Sequence, residues 1–233
     1  MAALLETRGL TAFYGDFQAL FGIDFEIHAG EMVAIIGANG AGKSTFLKAV
    51  CGLLQAARDS VRFEAEPIGG QPAGSIVSKG IAMVPEGRRL FPSLTVQENL
   101  MLGAYSRRPG PWTLPRIYDL FPVLAPKRHT SSTALSGGQQ QMVAIGRALM
   151  SNPKLLICDE ISLGLAPIVI KSIYDALPSI RAEGLTIILV EQDVSTAARV
   201  TDRLYCFQEG RVSLSGESPK LEMKKISQAY FGV

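Results

Sequence analysis

Short apolar runs alternate with longer amphipathic stretches along most of this chain. The runs are almost continuous in apolar residues, which is typical of strands buried on both faces of a parallel sheet. They predict strands at 31–36, 80–84, 154–158, 186–190 and 203–208. The amphipathic stretches predict helices at 43–53, 139–151, 167–182 and 194–201. This repeated order of strand and helix indicates an α/β fold with a mostly parallel core sheet.

The regions outside this repeat show other patterns. Residues 4–28 alternate between apolar and polar positions, which predicts an antiparallel β layer. Pro109, Pro111 and Pro115 interrupt residues 96–126, whose amphipathic pieces predict an inserted helical subdomain over approximately 96–150. The stretch 219–231 predicts a terminal amphipathic helix. No long-period repeat is visible, so we interpret 1–233 as a single unit that carries this insertion.

Composition limits the possible functions. The chain is 47% apolar and 19% charged, and its 23 basic and 21 acidic side chains leave a net charge of +2. This balance argues against disorder, and the lack of a basic cluster argues against nucleic acid as a partner. No apolar run approaches the roughly 20 residues that a membrane-spanning helix needs, and the N-terminus does not resemble a signal peptide. We therefore expect a cytoplasmic protein, with its three cysteines as reduced core thiols.

One segment matches the phosphate-binding loop pattern with every required position filled. It follows a predicted strand and begins a predicted helix, which is the context that this loop needs. Its glycines let successive N–H groups point at phosphate oxygens, and the helix N-terminus adds partial positive charge. The pattern places Lys43 at the outer phosphates and the Ser44 hydroxyl on Mg²⁺. The predicted nucleotide-binding residues are Gly37, Ala38, Asn39, Gly40, Ala41, Gly42, Lys43, Ser44 and Thr45.

Two carboxylates, Asp159 and Glu160, follow the predicted strand 154–158. Taken alone, they are better explained as the polar end of a strand that meets solvent. In an open parallel sheet, however, ligands bind beyond the carboxyl ends of the strands, so we expect both carboxylates to converge with Lys43. We predict that Asp159 holds Mg²⁺ through its water shell. We predict that Glu160 is the catalytic general base that activates the attacking water.

A third motif, of five residues, stands directly before a predicted helix: Leu135, Ser136, Gly137, Gly138 and Gln139. Its hydroxyl, its glycine N–H groups and the helix N-terminus would form a second anion-binding surface. The three motifs in this order resemble the ATP-binding cassette (ABC) ATPases, whose signature is this pentapeptide. The resemblance covers the whole chain and implies a P-loop NTPase fold with 1–233 as one cassette. It also implies a dimer, because in this family one protomer's signature closes over the ATP held by the other.

Three further residues acquire roles through this resemblance. Tyr14 matches the position of the aromatic residue that stacks on adenine. Glu86 stands where most members carry a glutamine that contacts Mg²⁺ and the attacking water, and a carboxylate can still meet the metal. Gln192 stands at the switch position, where a histidine is usual, and its amide can hydrogen-bond phosphate but cannot carry a proton. Ile161 and Leu165 also depart from the family's usual Pro and Asp.

Longer stretches, at 83–99, 159–167, 190–193 and 229–233, resemble the shorter ATPase subunit of bacterial importers for branched-chain amino acids. They imply an ATP-hydrolysing subunit that lies at the cytoplasmic face of the inner membrane. Its implied partners are permease subunits, a substrate-binding protein reached through them, and either a second copy of the chain or a paralogous ATPase. We expect 86–94 and 96–126 to contact the permease. Urea or short amides are alternative cargoes, and an iron–sulfur assembly scaffold is an alternative role.

Overall fold

The computed structural model of the chain describes residues 2–231, so positions 232 and 233 of the terminal stretch lie outside the described residues. Its strands are β1 (Ala3–Tyr14), β2 (Phe17–His28), β3 (Met32–Ile36), β4 (Val61–Phe63), β5 (Glu66–Pro67), β6 (Ile81–Val84), β7 (Leu155–Asp159), β8 (Thr186–Glu191), β9 (Arg203–Gln208) and β10 (Arg211–Glu217). Its α-helices are α1 (Lys43–Val50), α2 (Ala73–Lys79), α3 (Val96–Leu102), α4 (Leu114–Leu120), α5 (Gly137–Leu149), α6 (Pro167–Ala182), α7 (Val194–Val200) and α8 (Met223–Phe231). Among the described residues, no helix is both long and apolar enough to cross a bilayer.

The chain divides into two compact units. Unit 1 runs up to Ile76 and resumes at Thr186, and unit 2 is Val77–Leu185. Unit 1 contains an antiparallel sheet, in which β1 pairs with β2 on one side and with β4 on the other. It also contains β3, which is parallel to β8 and to β9, while β10 pairs antiparallel with β9. All five residues of β3 are buried, as expected for a strand that is covered on both faces.

Aromatic packing fixes α1 within unit 1. The Phe46 ring of α1 makes edge contacts with Phe25 of β2 and with Phe207 of β9, at centroid separations of 5.2 and 5.4 Å. All three rings are buried. A second buried cluster lies beneath α7 and α8 and consists of Ala34, Ile36, Ala197, Leu204, Cys206 and Ile226. The core packing of unit 1 therefore holds α1 against β2 and β9.

Unit 2 combines a parallel strand pair with helices. β6 and β7 run parallel, with Val84 opposite Cys158 near their carboxyl ends. Capping boxes define the starts of two helices, through Thr95 and Glu98 at α3 and through Ser136 and Gln139 at α5. In each box the Ser or Thr side chain accepts a hydrogen bond from the backbone N–H three residues later. The side chain of that later residue accepts one from the backbone N–H of the Ser or Thr. These caps explain why α3 and α5 begin where they do.

The predicted α/β fold with a parallel core and an antiparallel layer is confirmed. α6 begins and ends where its periodicity predicts, and the other predicted elements lie within a few residues of their expected bounds. Sequence patterns missed α2, the short β4 and β5, and β10. The alternating pattern of β10 is weak, because it has only two apolar side chains, Val212 and Leu214, and both are only half-buried. The three cysteines are buried, as expected.

Candidate nucleotide site

The predicted phosphate loop joins β3 to α1 in unit 1. Gly37, Gly40 and Gly42 all have positive φ, at 155°, 83° and 102°. A Cβ at Gly37 would lie 2.5 Å from the carbonyl oxygen of Phe207, and one at Gly42 would lie 2.9 Å from Leu20. A side chain is therefore disfavoured by the backbone conformation at all three positions, and at Gly37 and Gly42 it would also clash. Only glycine allows the loop to fold tightly against its neighbours at these positions.

The N-terminus of α1 is suited to an anion. Gly42 caps the helix without any side-chain hydrogen bond, and the first turn contains no acidic residue. The Lys43 side chain is buried, and its Nζ donates to the carbonyl oxygens of Gly37 at 2.7 Å and Ala38 at 3.2 Å. The loop thus combines a helix N-terminus without a side-chain cap and an ammonium group held over the loop. This combination fits the phosphates of a nucleotide.

Tyr14 is placed beside this loop. It is the last residue of β1, and its ring is 44% exposed. The Tyr14 hydroxyl lies 3.5 Å from Thr45 Oγ1, and the Lys48 ammonium lies 5.7 Å from the centre of the ring. A ring that is held at its edge and is still partly exposed can stack on a base. The sequence did not reveal that Thr45 and Lys48 meet Tyr14, since neither contact follows from a local pattern.

Gln192 also meets the phosphate loop. It follows β8, and its Nε2 donates to Asn39 Oδ1 at 3.2 Å. The next residue, Asp193, caps α7 by accepting from the N–H groups of Ser195 and Thr196. A hydrogen bond from the Thr196 hydroxyl lowers the pKa of Asp193, so the cap stays ionised near neutral pH. The switch position is therefore fixed between a capped helix and the loop, through a partner that the sequence did not identify.

In unit 2, three acidic residues leave the same edge of the β6 and β7 pair. The strands are parallel and in register, so the chains that continue to Glu86 and to Asp159 and Glu160 emerge side by side. Asp159 is buried at the end of β7, Glu160 is half-buried, and Glu86 is exposed. Glu160 has a φ of 49°, which turns the chain sharply away from the strand direction. This turn gives the two adjacent carboxylates different orientations.

The signature residues lead into α5: Ser136 is its N-cap, and Gly137, Gly138 and Gln139 begin its first turn. Ser136 Oγ accepts from the Gln139 N–H at 3.4 Å, and Gln139 Oε1 accepts from the Ser136 N–H at 3.2 Å. Lys127 Nζ also donates to Gln139 Oε1, at 3.1 Å. A Cβ on Gly138 would lie 2.4 Å from Val169 of α6. The turn is therefore shaped by its own side chains and by the close approach of α6, while Ser136 itself is exposed.

The donor set can be tested against Mg²⁺ as well. No group of three or more His, Cys, Asp or Glu side chains in the described part of the chain could hold a metal ion. Mg²⁺ needs no such cage, because it keeps several waters and is usually bound by one or two carboxylates together with substrate phosphates. The hydroxyl of Ser44 and the carboxylate of Asp159 are hard oxygen donors of this kind. Each of these residues therefore offers the type of oxygen donor that Mg²⁺ binds.

The chain is similar to known proteins over most of its length. Residues 20–162 match the family model described as ABC transporter. The chain is 45% identical over 232 residues to the high-affinity branched-chain amino acid transport ATP-binding protein BraG of Pseudomonas aeruginosa, covering 98% of this chain and 100% of that protein. The solved ADP conformation of MJ1267, an ATP-binding cassette of an ABC transporter, is 26% identical with a TM-score of 0.83 and full coverage of both chains. The dimeric structure of MJ0796, a bacterial ABC transporter cassette, is 26% identical with a TM-score of 0.80, covering 92% of this chain and 98% of that one. The chain therefore belongs to the ABC transporter family of ATP-binding cassettes.

Proposed function

We propose that this chain is the ATP-hydrolysing subunit of an importer for branched-chain amino acids. The observation that carries the proposal is the full-length similarity to the branched-chain amino acid transport ATP-binding protein of Pseudomonas aeruginosa. The geometry of the phosphate loop supports the ATPase part, since it offers backbone donors, a helix N-terminus and a lysine at one place. Branched-chain amino acids are therefore the proposed cargo, with urea or short amides as the competing one.

ATP would be held mainly by unit 1. The loop N–H groups and Lys43 would bind its phosphates, and the Tyr14 ring would stack on its base. Lys43 would have to exchange its bonds to the Gly37 and Ala38 carbonyl oxygens for bonds to phosphate oxygens. The Gln192 amide, now bonded to Asn39, would reach the phosphate side of the loop. These groups bind and orient the nucleotide but none of them is suited to remove a proton from water.

Hydrolysis would depend on the carboxylates of unit 2. The Glu160 carboxylate would accept the proton from the water that attacks the γ-phosphate. Ser44 and Asp159 would each offer an oxygen donor to Mg²⁺, which would supply positive charge for the phosphate oxygens when bound. Glu86 would approach the metal from the neighbouring strand end, where most family members place an amide. A carboxylate there keeps the oxygen donor and adds a negative charge.

The signature turn would serve a second nucleotide. The chain has one phosphate loop with a lysine and one separate helix start with exposed Ser136 and two glycines. We assign the second surface to the γ-phosphate of ATP held by another cassette, which is either a second copy of this chain or a paralogous ATPase. The similarity to a dimeric cassette supports this assignment. Closure of such a dimer would add positive electrostatic potential where the transition state gains negative charge.

The permease would dock on an apolar groove in unit 2. The groove has a volume of about 680 Å³ and is lined by Leu94, Glu98, Met101, Leu102, Ala104, Tyr105 and Arg107. Tyr105 is 92% exposed, and Met101, Leu102 and the nearby Phe91 are also exposed. Large exposed apolar side chains that are grouped in this way mark protein interaction sites. The groove continues from residues 86–94, which we call the docking loop, and it would hold the chain at the cytoplasmic face of the inner membrane.

Purification of the intact complex tests this proposal. We expect an affinity-tagged chain to bring down integral membrane subunits from its own organism. The complex in liposomes, supplied with its substrate-binding protein, should accumulate leucine in an ATP-dependent manner. The same complex with Lys43→Ala should assemble but not transport. Uptake of urea in place of leucine would overturn the cargo, and recovery of iron–sulfur assembly proteins without membrane subunits would overturn the importer role.

A further inference from the structure

The docking loop contains a turn of strained backbone. Gly87, Arg88 and Arg89 have φ values of 74°, 66° and 46°, so three successive residues lie in the left-handed region. Only the first of them is a glycine. Residues other than glycine adopt this conformation when surrounding contacts determine it, and such strain is concentrated at functional sites. The contacts that hold this turn therefore indicate what the loop is built to do.

One contact comes from the far end of the signature helix. Arg147 of α5 donates from Nη1 to the Arg89 carbonyl oxygen at 2.8 Å and from Nη2 to the Arg88 carbonyl oxygen at 3.1 Å. Its guanidinium also lies 5.7 Å from the centre of the Phe91 ring. Burial lowers the pKa of Arg147, but an arginine remains charged throughout the physiological range. Two charge-assisted hydrogen bonds thus fix the carbonyl groups of the strained turn.

A second contact runs in the opposite direction, from the loop to the signature. Arg88 Nη1 donates to Gln140 Oε1 at 3.2 Å, and its guanidinium packs 3.0 Å from the position where a Cβ on Gly137 would lie. Gln140 Nε2 in turn donates to the carbonyl oxygens of Ser132 and Leu135. Leu135 is the first residue of the signature. A continuous line of hydrogen bonds therefore joins the docking loop to the turn at 135–139.

The two attachment points are well placed to act as a clamp. Gln140 and Arg147 are seven residues apart in α5, which corresponds to two helical turns and about 10 Å along one face. A segment held at one point can pivot about it. A segment held at two points on one rigid helix moves with that helix. The docking loop and the signature turn should therefore shift as one body.

We propose that Arg88 is a positioning residue that ties the docking loop to the signature turn of its own chain. This inference rests on the proposed function, because it assigns the loop to the permease and the signature to the ATP of a second cassette. A permease segment that moves the loop would then move the signature towards or away from that ATP. Arg147 anchors the loop backbone, and the Arg88 side chain transmits the displacement to Gln140 and Leu135.

The tie can be measured on the full chain without any partner. We expect Arg88→Ala to accelerate hydrogen–deuterium exchange of the amides at 136–139 by about fivefold or more, because loss of the link lets the turn open locally. The matched control is Arg89→Ala. Arg89 is the adjacent arginine and has the same left-handed backbone conformation, but it is exposed. The control should leave exchange at 136–139 at the wild-type rate. Equal exchange in the two variants would overturn the proposal.

Exchange of Arg88 and Gln140 separates loss of this hydrogen bond from general misfolding. Arg88→Gln combined with Gln140→Arg restores a donor and an acceptor, so the double variant should return exchange at 136–139 to within about twofold of wild type. Failure of the swap to improve on Arg88→Ala would count against a specific link.

In the reconstituted complex, we expect Arg88→Ala to reduce permease-stimulated turnover by about fivefold or more and to change ATP affinity less than twofold. Unchanged stimulation in this variant would overturn the transmitting role. A wild-type chain that gains no activity from the permease would instead overturn the proposed function, and the exchange data would still decide whether the tie exists.

Discussion

The phosphate loop of unit 1 and the signature turn of unit 2 both place glycines at the start of a helix, yet they are constructed differently. In the loop, the glycines have positive φ, Gly37 fits against the carbonyl oxygen of Phe207, and no side chain caps α1. In the signature, Ser136 and Gln139 cap α5, and the Val169 side chain leaves no space for a Cβ at Gly138. The loop also has a lysine among its donors. The first structure can bind phosphate by itself, whereas the second is suited to complete a site that another cassette has begun.

The largest effect should come from the carboxylate after β7. If Glu160 is the base, Glu160→Gln should lower kcat about 1,000-fold, because an amide cannot accept the proton of the attacking water. ATP affinity should stay near the wild-type value, and an ATP-dependent dimer should accumulate. Steady-state ATPase assays and gel filtration with ATP measure both effects. Wild-type turnover in Glu160→Gln would require another base, for which Glu86 is the nearest candidate along the strand edge.

Substitutions of two lysines of α1, Lys43 and Lys48, test whether the phosphate loop binds ATP. Lys43→Ala should weaken ATP binding about 100-fold or more, since it leaves phosphate charge without its buried partner. Lys48→Ala removes a lysine from the same helix that lies over the Tyr14 ring, and it should weaken binding less than about tenfold. Calorimetry with Mg–ATP measures both variants. Unchanged affinity in Lys43→Ala would contradict the assignment of the phosphate loop.

The two signature glycines should respond unequally to the same change. Gly138→Ala would force a methyl group to within 2.4 Å of the branched Val169, so α5 must shift and turnover should fall about tenfold. Gly137→Ala meets the flexible Arg88 guanidinium at 3.0 Å, and it should reduce turnover only about twofold. Neither variant should weaken ATP binding by unit 1, as calorimetry would show. Equal turnover in both would mean that the contact with α6 does not shape the signature.

The smallest effect should come from the switch position. Gln192→His replaces an amide by the residue that is usual in the family, and an imidazole can still donate to Asn39. We therefore expect turnover within about twofold of wild type, with a new pH dependence near the ordinary pKa of histidine, about 6.5. ATPase assays from about pH 5.5 to about pH 8.5 measure this pH dependence, because that range spans the titration of an ordinary histidine. A complete loss of activity would show that the amide has a role that an imidazole cannot fill.

The sequence predicted the family, the α/β architecture and the course of the main elements, because each depends on local motifs or on periodicity. α6 is the clearest example, since its apolar period and its initial proline define both ends. The residues assigned to catalysis and to binding stay predictions, which the variants above test. Sequence patterns did not indicate the bonds from Gln192 to Asn39 or from Arg88 to Gln140. Both join residues far apart in the chain through single side-chain atoms, and such contacts leave no periodic or compositional signal.

The most direct test asks whether the loop of one chain and the signature of another form one site. Lys43→Ala removes phosphate binding by the loop, and Ser136→Arg should block the signature turn with a bulky cation. Each variant alone should therefore lack ATPase activity. In an equal mixture, about half of the dimers contain one copy of each variant, and one of their two sites is intact. We predict recovery of about a quarter of the wild-type rate, increasing with protein concentration. A mixture that stays as inactive as its components, under conditions where the wild-type chain dimerises with ATP, would contradict a site shared between two cassettes.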